Sequence, residues 1–145
     1  MLSSYLKGKI QFKEQVDSWE DSIKQAALPL LEAGNINSQY IDDMINNVNE
    51  NGPYIVIVPG FALPHAKNEG GVIKTGISML KLEQPVKYPE EKEVSILMVL
   101  AAEDSEGHLD LISDLSSLLV DDDIMEQFLN ASSEEEVIEL IDQAE

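Results

Sequence analysis

Three absences shape this chain of 145 residues: it has no cysteine, no arginine and, after Lys92, no basic residue of any kind. Without cysteine there are no disulfides, no thiolate zinc sites and no thiol nucleophile, so a redox role is excluded. Without arginine, and with nine lysines against 28 acids, the formal net charge is −19. The imbalance is uneven: residues 1–92 hold 12 acids and all nine lysines, whereas residues 93–145 hold 16 acids and no base. Nucleic-acid binding needs lysine and arginine clustered against the phosphate backbone, and this surface repels it. Anionic membrane surfaces are disfavoured on the same ground. Long apolar runs are missing too. The longest, Ile96–Ala102, is far too short to span a bilayer, and Met1–Gln15 lacks the basic-then-apolar order of a signal segment. A cytoplasmic protein is expected.

What is present is a core: 43% of the residues are hydrophobic, and no repeat, low-complexity tract or linker divides the chain. One domain over residues 1–145 follows. Ile10-Gln11-Phe12 alternates briefly, as a short edge strand does. Asp17 with Glu20 makes a capping-box pattern that opens a helix to about Ala33, with Trp19, Ile23, Ala26, Ala27 and Leu30 on one face and Gly34 as the stop. Pro29 lacks an amide donor, which predicts a kink or an early end there. Ile41, Met44, Ile45 and Val48 after Ser38 form a second helical stripe, closed by Gly52-Pro53.

Tyr54–Val58 is five β-favouring residues without polar alternation, which predicts a central strand buried on both faces. Thr75–Leu82 and Val94–Ala101 read the same way, with Pro85 and Pro89 marking an irregular connection between them. Strands of this kind between helices mean a sheet covered on both faces. Leu111, Ile112, Leu115, Leu118 and Leu119 then make a helical stripe, followed by a short Ile124–Leu129 helix. A last helix opens at Ser132 or Ser133 and carries Val137, Ile138, Leu140 and Ile141.

Pro59-Gly60-Phe61-Ala62-Leu63-Pro64-His65-Ala66 does not fit a purely structural reading. Two prolines and a glycine hold an irregular backbone where a strand ends, and ligand sites of α/β sheets gather at such ends. His65 is therefore placed on a rigid loop. An isolated loop histidine is often no more than a hydrogen-bond partner of a carbonyl. The second histidine, His108, also follows a buried strand, and the two loops converge if those strands are neighbours. Glu103, Asp104, Glu106 and Asp110 surround His108 in sequence and favour its imidazolium form, which leaves His65 as the neutral nucleophile. Nucleotide-binding and zinc-protease motifs and the serine-hydrolase elbow are all missing, so no cofactor or metal is expected. Asp121-Asp122-Asp123 and Glu134-Glu135-Glu136 read as solvated helix starts.

Across Gly52–Ala66, and more loosely from about Leu6 to the C-terminus, the sequence resembles the IIA components of the bacterial phosphotransferase sugar-uptake system. Within the mannitol/fructose superfamily it is most similar to the ascorbate-type branch. The resemblance implies an α/β, three-layer domain in which a mixed β-sheet is flanked by helices on both faces. It implies a phosphocarrier in which the histidine matching His65 takes a phosphoryl group from phospho-HPr. That group then passes to a cysteine of the IIB component, with the membrane IIC component engaged indirectly. The histidine matching His108 helps to hold the group, and the phosphoryl is expected on Nε2. Relatives often carry arginine two residues after the active histidine; here that position is Lys67, a point charge without the bidentate fork, expected to help position phosphate. Ascorbate or a polyol is the implied sugar. Two other readings are a IIA-like protein whose phosphorylation signals to a transcription factor or kinase, and a metal-dependent hydrolase on His65, His108, Asp104 and Asp110.

Overall fold

In a computed structural model, residues 2–144 are described. Among them one five-stranded sheet has the order β1-β4-β5-β3-β2. Its strands are β1 (Ile10–Lys13), β2 (Val56–Val58), β3 (Gly60–Ala62), β4 (Gly76–Tyr88) and β5 (Lys92–Ala101). β1 pairs with β4 and β3 with β5 in parallel; β4 with β5 and β2 with β3 are antiparallel. The sheet is therefore mixed, as the resemblance implies.

β5 is the central strand, and from Ile96 to Ala101 its side chains alternate between two cores. Leu97, Val99 and Ala101 face α2 (Trp19–Glu32) and α3 (Ser38–Asn51). Ile96, Met98 and Leu100 face α1 (Leu2–Leu6), α4 (Ser105–Leu119), α5 (Asp122–Asn130) and α6 (Glu134–Ala144). Helices on both faces make three layers and explain why this strand reads as a continuous apolar run.

The Tyr54–Val58 segment corrects the expectation of a central strand. β2 lies at the sheet edge, and Ile57 is 37% and Tyr54 47% exposed. Pro59-Gly60 is no part of an irregular site loop. It is the turn of a tight hairpin, with Gly60 at φ +89, a left-handed conformation that suits glycine. The chain then returns as β3, and His65 follows β3, not β2.

β4 also runs further than expected. It continues through Pro85 to Tyr88, absorbing the proline in an irregularity between Lys81 and Val86, before a short 3-10 turn at Pro89–Glu91.

Two helix ends differ in detail. The cap of α2 is Ser18, whose hydroxyl accepts from the Asp21 N–H at 3.1 Å, one residue beyond the Asp17 pattern. Pro29 does not end α2, which continues to Glu32. Proline leaves the Gln25 carbonyl without its helical donor, and the Gln11 side chain, reaching from β1, donates to that carbonyl at 2.7 Å. At α6 the Ser133 hydroxyl accepts from the Glu136 N–H at 3.2 Å, which settles the choice between the two serines.

Candidate functional site

Because β3 and β5 are parallel neighbours, their carboxyl ends open on the same edge of the sheet. His65 lies in the loop after β3 and His108 in the first turns of α4, which follows β5. The two rings meet with centroids 5.1 Å apart at 65°. The expected convergence holds, except that His108 stands on a helix instead of a loop. β2 runs the opposite way to β3, so its amino end reaches this edge too. It brings Tyr54 against His65 as well, edge-on at 5.7 Å and 88°.

The His65 ring is fixed by its own loop. Nδ1 lies 2.5 Å from the Leu63 carbonyl oxygen. A carbonyl only accepts, so Nδ1 carries the proton and donates it, and Nε2 is left with a free lone pair. The bland reading of a loop histidine bonded to a carbonyl and the nucleophile reading thus describe the same hydrogen bond. Burial lowers the His65 pKa below its ordinary value; the Leu63 bond pulls upward and nearby His108 adds a smaller downward push. The ring is neutral near pH 7.

His108 corrects the electrostatic expectation. Its pKa is also lowered, by partial burial, so the acids around it in sequence do not turn it into an imidazolium in this state. Two of those acids, Asp104 and Glu103, are engaged elsewhere. Asp104 Oδ1 caps α4 by accepting from the Gly107 N–H at 2.7 Å. Glu103 Oε1 accepts from the Thr75 N–H at 3.1 Å. Among the described residues no three histidine, aspartate or glutamate side chains gather as metal ligands, so the set of His65, His108, Asp104 and Asp110 is not assembled.

Around the pair lies a cleft of about 420 Å³ lined also by Asn47, Tyr54, Lys67, Asn68 and Ser105. It is large enough to admit a phosphoryl group together with the side chain that delivers it. The amino end of α4 opens into it, and the positive end of the helix dipole favours an anion there, with the Gly107 N–H already taken by Asp104. Lys67 is exposed at the rim. Asn47 and Tyr54 were not found from sequence; they are hydrogen-bonded to each other through their side chains. Asn68 was missed as well. Its amide donates to the Glu103 carbonyl at 2.8 Å, and its Oδ1 accepts from the Gly70 and Val72 N–H groups, tying the His65 loop to the end of β5.

Residues 4–144 match the family described as phosphoenolpyruvate-dependent sugar phosphotransferase system, EIIA 2. The chain belongs to this EIIA family. It is 37% identical over 142 residues to the mannitol-specific cryptic phosphotransferase enzyme IIA component of Escherichia coli K12, covering 97% of each chain. It is 31% identical over 136 residues to the ascorbate-specific EIIA component of the same organism, covering 92% of this chain and 88% of the relative. The solution structure of the mannitol-specific cryptic enzyme IIA from Escherichia coli superposes with a TM-score of 0.90 at 35% identity, over 98% of each chain. The EIIA fold extends to lower identity. The enzyme IIA of mannitol solved in complex with phosphorylated enzyme IIB from Escherichia coli gives a TM-score of 0.81 at 23%, over 93% of this chain and 94% of that one. The protein is thus a IIA component of a sugar phosphotransferase system, and its fold is the one its sequence implies. Among the described residues no helix is long and apolar enough to cross a membrane.

Proposed function

We propose that His65 is the phosphoryl acceptor and that the chain is a phosphocarrier between HPr and a IIB component. The observation that carries this reading is the 2.5 Å contact of His65 Nδ1 with the Leu63 carbonyl, which leaves the lone pair of a cleft-lining ring on Nε2. The Nε2 lone pair attacks phosphorus in line with the nitrogen of the phosphohistidine on HPr. A new P–N bond forms as the donor's breaks, through a loose transition state that asks for positioning and charge stabilisation more than covalent help. The proton on Nδ1 stays in place throughout. It makes the imidazole a neutral leaving group when a cysteine thiolate of IIB attacks the same phosphorus, forming P–S and returning His65 to its starting tautomer.

While His65 carries the phosphoryl dianion, that charge raises the pKa of His108, and the resulting imidazolium donates to a phosphoryl oxygen. The α4 amino end and Lys67 add positive potential on the same side. No metal or nucleotide takes part in these steps. The sugar is ascorbate or a polyol, in line with the ascorbate and mannitol relatives, and the work is done in the cytoplasm. Those relatives are named as sugar-specific phosphotransferase components, which disfavours the regulatory reading.

The test is intact-mass analysis after incubation with phosphoenolpyruvate, enzyme I and HPr. One acid-labile phosphoryl group is expected, and phosphorus–nitrogen coupling should place it on Nε2 of His65. No transfer, or transfer to another residue, overturns the reading.

A further inference from the structure

The loop from Leu63 to Asn68 has no regular secondary structure, yet its backbone is fastened on both sides of His65. Upstream, the Leu63 N–H donates to the Ile55 carbonyl at 2.9 Å and the Leu100 N–H to the Pro64 carbonyl at 3.0 Å, which carries the sheet pairing past the end of β3. Downstream, the Ala66 N–H donates to a side chain instead, the Tyr40 hydroxyl, at 3.1 Å. That hydroxyl donates its own proton to the Leu100 carbonyl at 2.5 Å, with the Ala66 carbonyl oxygen 3.2 Å away. Leu100 therefore holds Pro64 directly through its N–H, and Ala66 through Tyr40.

Tyr40 is well placed to be a fixed point. It is fully buried in the core beneath α3. Gly71 passes so close that a Cβ there would lie 2.8 Å from the Tyr40 Cβ, so the segment after the loop is moulded on it. Burial pushes the phenol far above its ordinary pKa, so the hydroxyl is neutral at any working pH. Core packing alone would be met by phenylalanine. What the hydroxyl adds is a bridge between Ala66 and Leu100, one residue from the histidine.

We propose that Tyr40 is a positioning residue for phosphoryl transfer: its hydroxyl fixes the turn that aims the Nδ1–H of His65 at the Leu63 carbonyl and so presents Nε2 to the cleft. This rests on the reading of His65 as the phosphoryl acceptor. Tyr40 itself touches neither the phosphoryl group nor a partner; it acts through the loop.

The test is Tyr40→Phe, read in two ways. Without any donor, nitrogen NMR of the ring of His65 should move from the Nδ1–H tautomer toward a mixture of both, while His108 keeps its signature. With phospho-HPr, acceptance should slow by about ten- to hundred-fold with KM unchanged, as expected of a reacting atom misplaced by a fraction of an ångström. A variant that keeps the wild-type His65 tautomer overturns the proposal, however far its melting temperature falls. The ring spectra need no phosphoryl donor. Failure of the wild-type protein to accept phosphoryl would thus sink the phosphocarrier reading while leaving the role of Tyr40 decided separately. Should Tyr40→Phe not fold, amide exchange of Ala66 in the wild type decides. Exchange as slow as that of Leu100 in β5 supports the bridge, and exchange at the rate of exposed loop amides overturns it.

Discussion

His65 and His108 face each other across one cleft, and the fold treats them in opposite ways. His65 belongs to a segment without regular secondary structure, yet its neighbours are pinned to Ile55, β5 and Tyr40, and its own Nδ1 is pinned to Leu63. His108 belongs to a fifteen-residue helix, yet among the described residues no hydrogen bond holds its ring. Regular backbone and fixed side chain are thus separate properties, and their distribution matches the roles proposed for the two rings. A nucleophile must present one lone pair in one direction before the reaction starts. A group that stabilises a charge present for only part of the cycle must change its protonation state when that charge arrives, and a ring free of fixed partners does so at little cost.

The contrast breaks most completely at His65. His65→Ala should take up no phosphoryl group at all in the intact-mass assay, with His108 unable to substitute because nothing fixes its tautomer. His108→Ala should still be phosphorylated on His65, at a rate lower by roughly 10²-fold, the scale on which a single donor to a developing charge is felt. Equal loss in both variants would erase the distinction between the rings.

Acidification sharpens the comparison further. The His65 pKa is lowered below 6.5 by burial, so phosphoryl acceptance should be flat above that value and fall only as pH drops through the lowered folded pKa. The sign for stability follows. The unfolded chain binds this proton more readily than the folded one, so stability rises with pH up to about 6.5, the unfolded value, and is then level with respect to this group. His108 is lowered as well, but in the phosphorylated protein its titration should move upward while the Nδ1 proton of His65 stays in place. Histidine titrations by NMR of both forms would reveal it.

Much of this was legible in the sequence. The Pro64-His65 loop, the second histidine and the apolar run of β5 all carry their structural meaning in residue type and order. The Tyr54–Val58 segment was not, because β-branched residues without alternation look alike in a central strand and in an edge strand that exposes an isoleucine. The Pro-Gly pair at 59–60 was the available signal, since such a dipeptide marks a turn; taken as a hairpin it demotes β2 to the edge and brings Tyr54 to the cleft. Asn47 and Asn68 have no such marker. Asparagine is common on helices and loops, and only the tertiary fold shows which amides meet the histidine pair. An early end at Pro29 does not occur, because the missing helical bond is replaced from β1 by Gln11, a partner distant in sequence. Tyr40 carries the same lesson: it stands outside the helical stripe read from Ile41 to Val48, and its hydroxyl finds Ala66 and Leu100 only in the folded chain.

The smallest effect is expected at the cap of α4, and it separates the position of His108 from its chemistry. Asp104 Oδ1 accepts from the Gly107 N–H, so Asp104→Ala removes an N-cap and should destabilise the fold by about 1 kcal/mol. In a domain of this size that is a melting shift of roughly 2–4 °C. The same change removes a negative charge beside an incoming phosphoryl dianion, which favours acceptance, while fraying the turn that carries His108, which opposes it. The two effects offset, so acceptance by His65 should fall less than in His108→Ala even though the backbone of α4 is looser. Faster amide exchange confined to the first turn of α4 would accompany it, with the His65 tautomer unchanged. If acceptance instead fell as far as in His108→Ala, the first turn would be as rigidly required as the loop of His65, and the difference between the two histidines would lie in their chemistry alone.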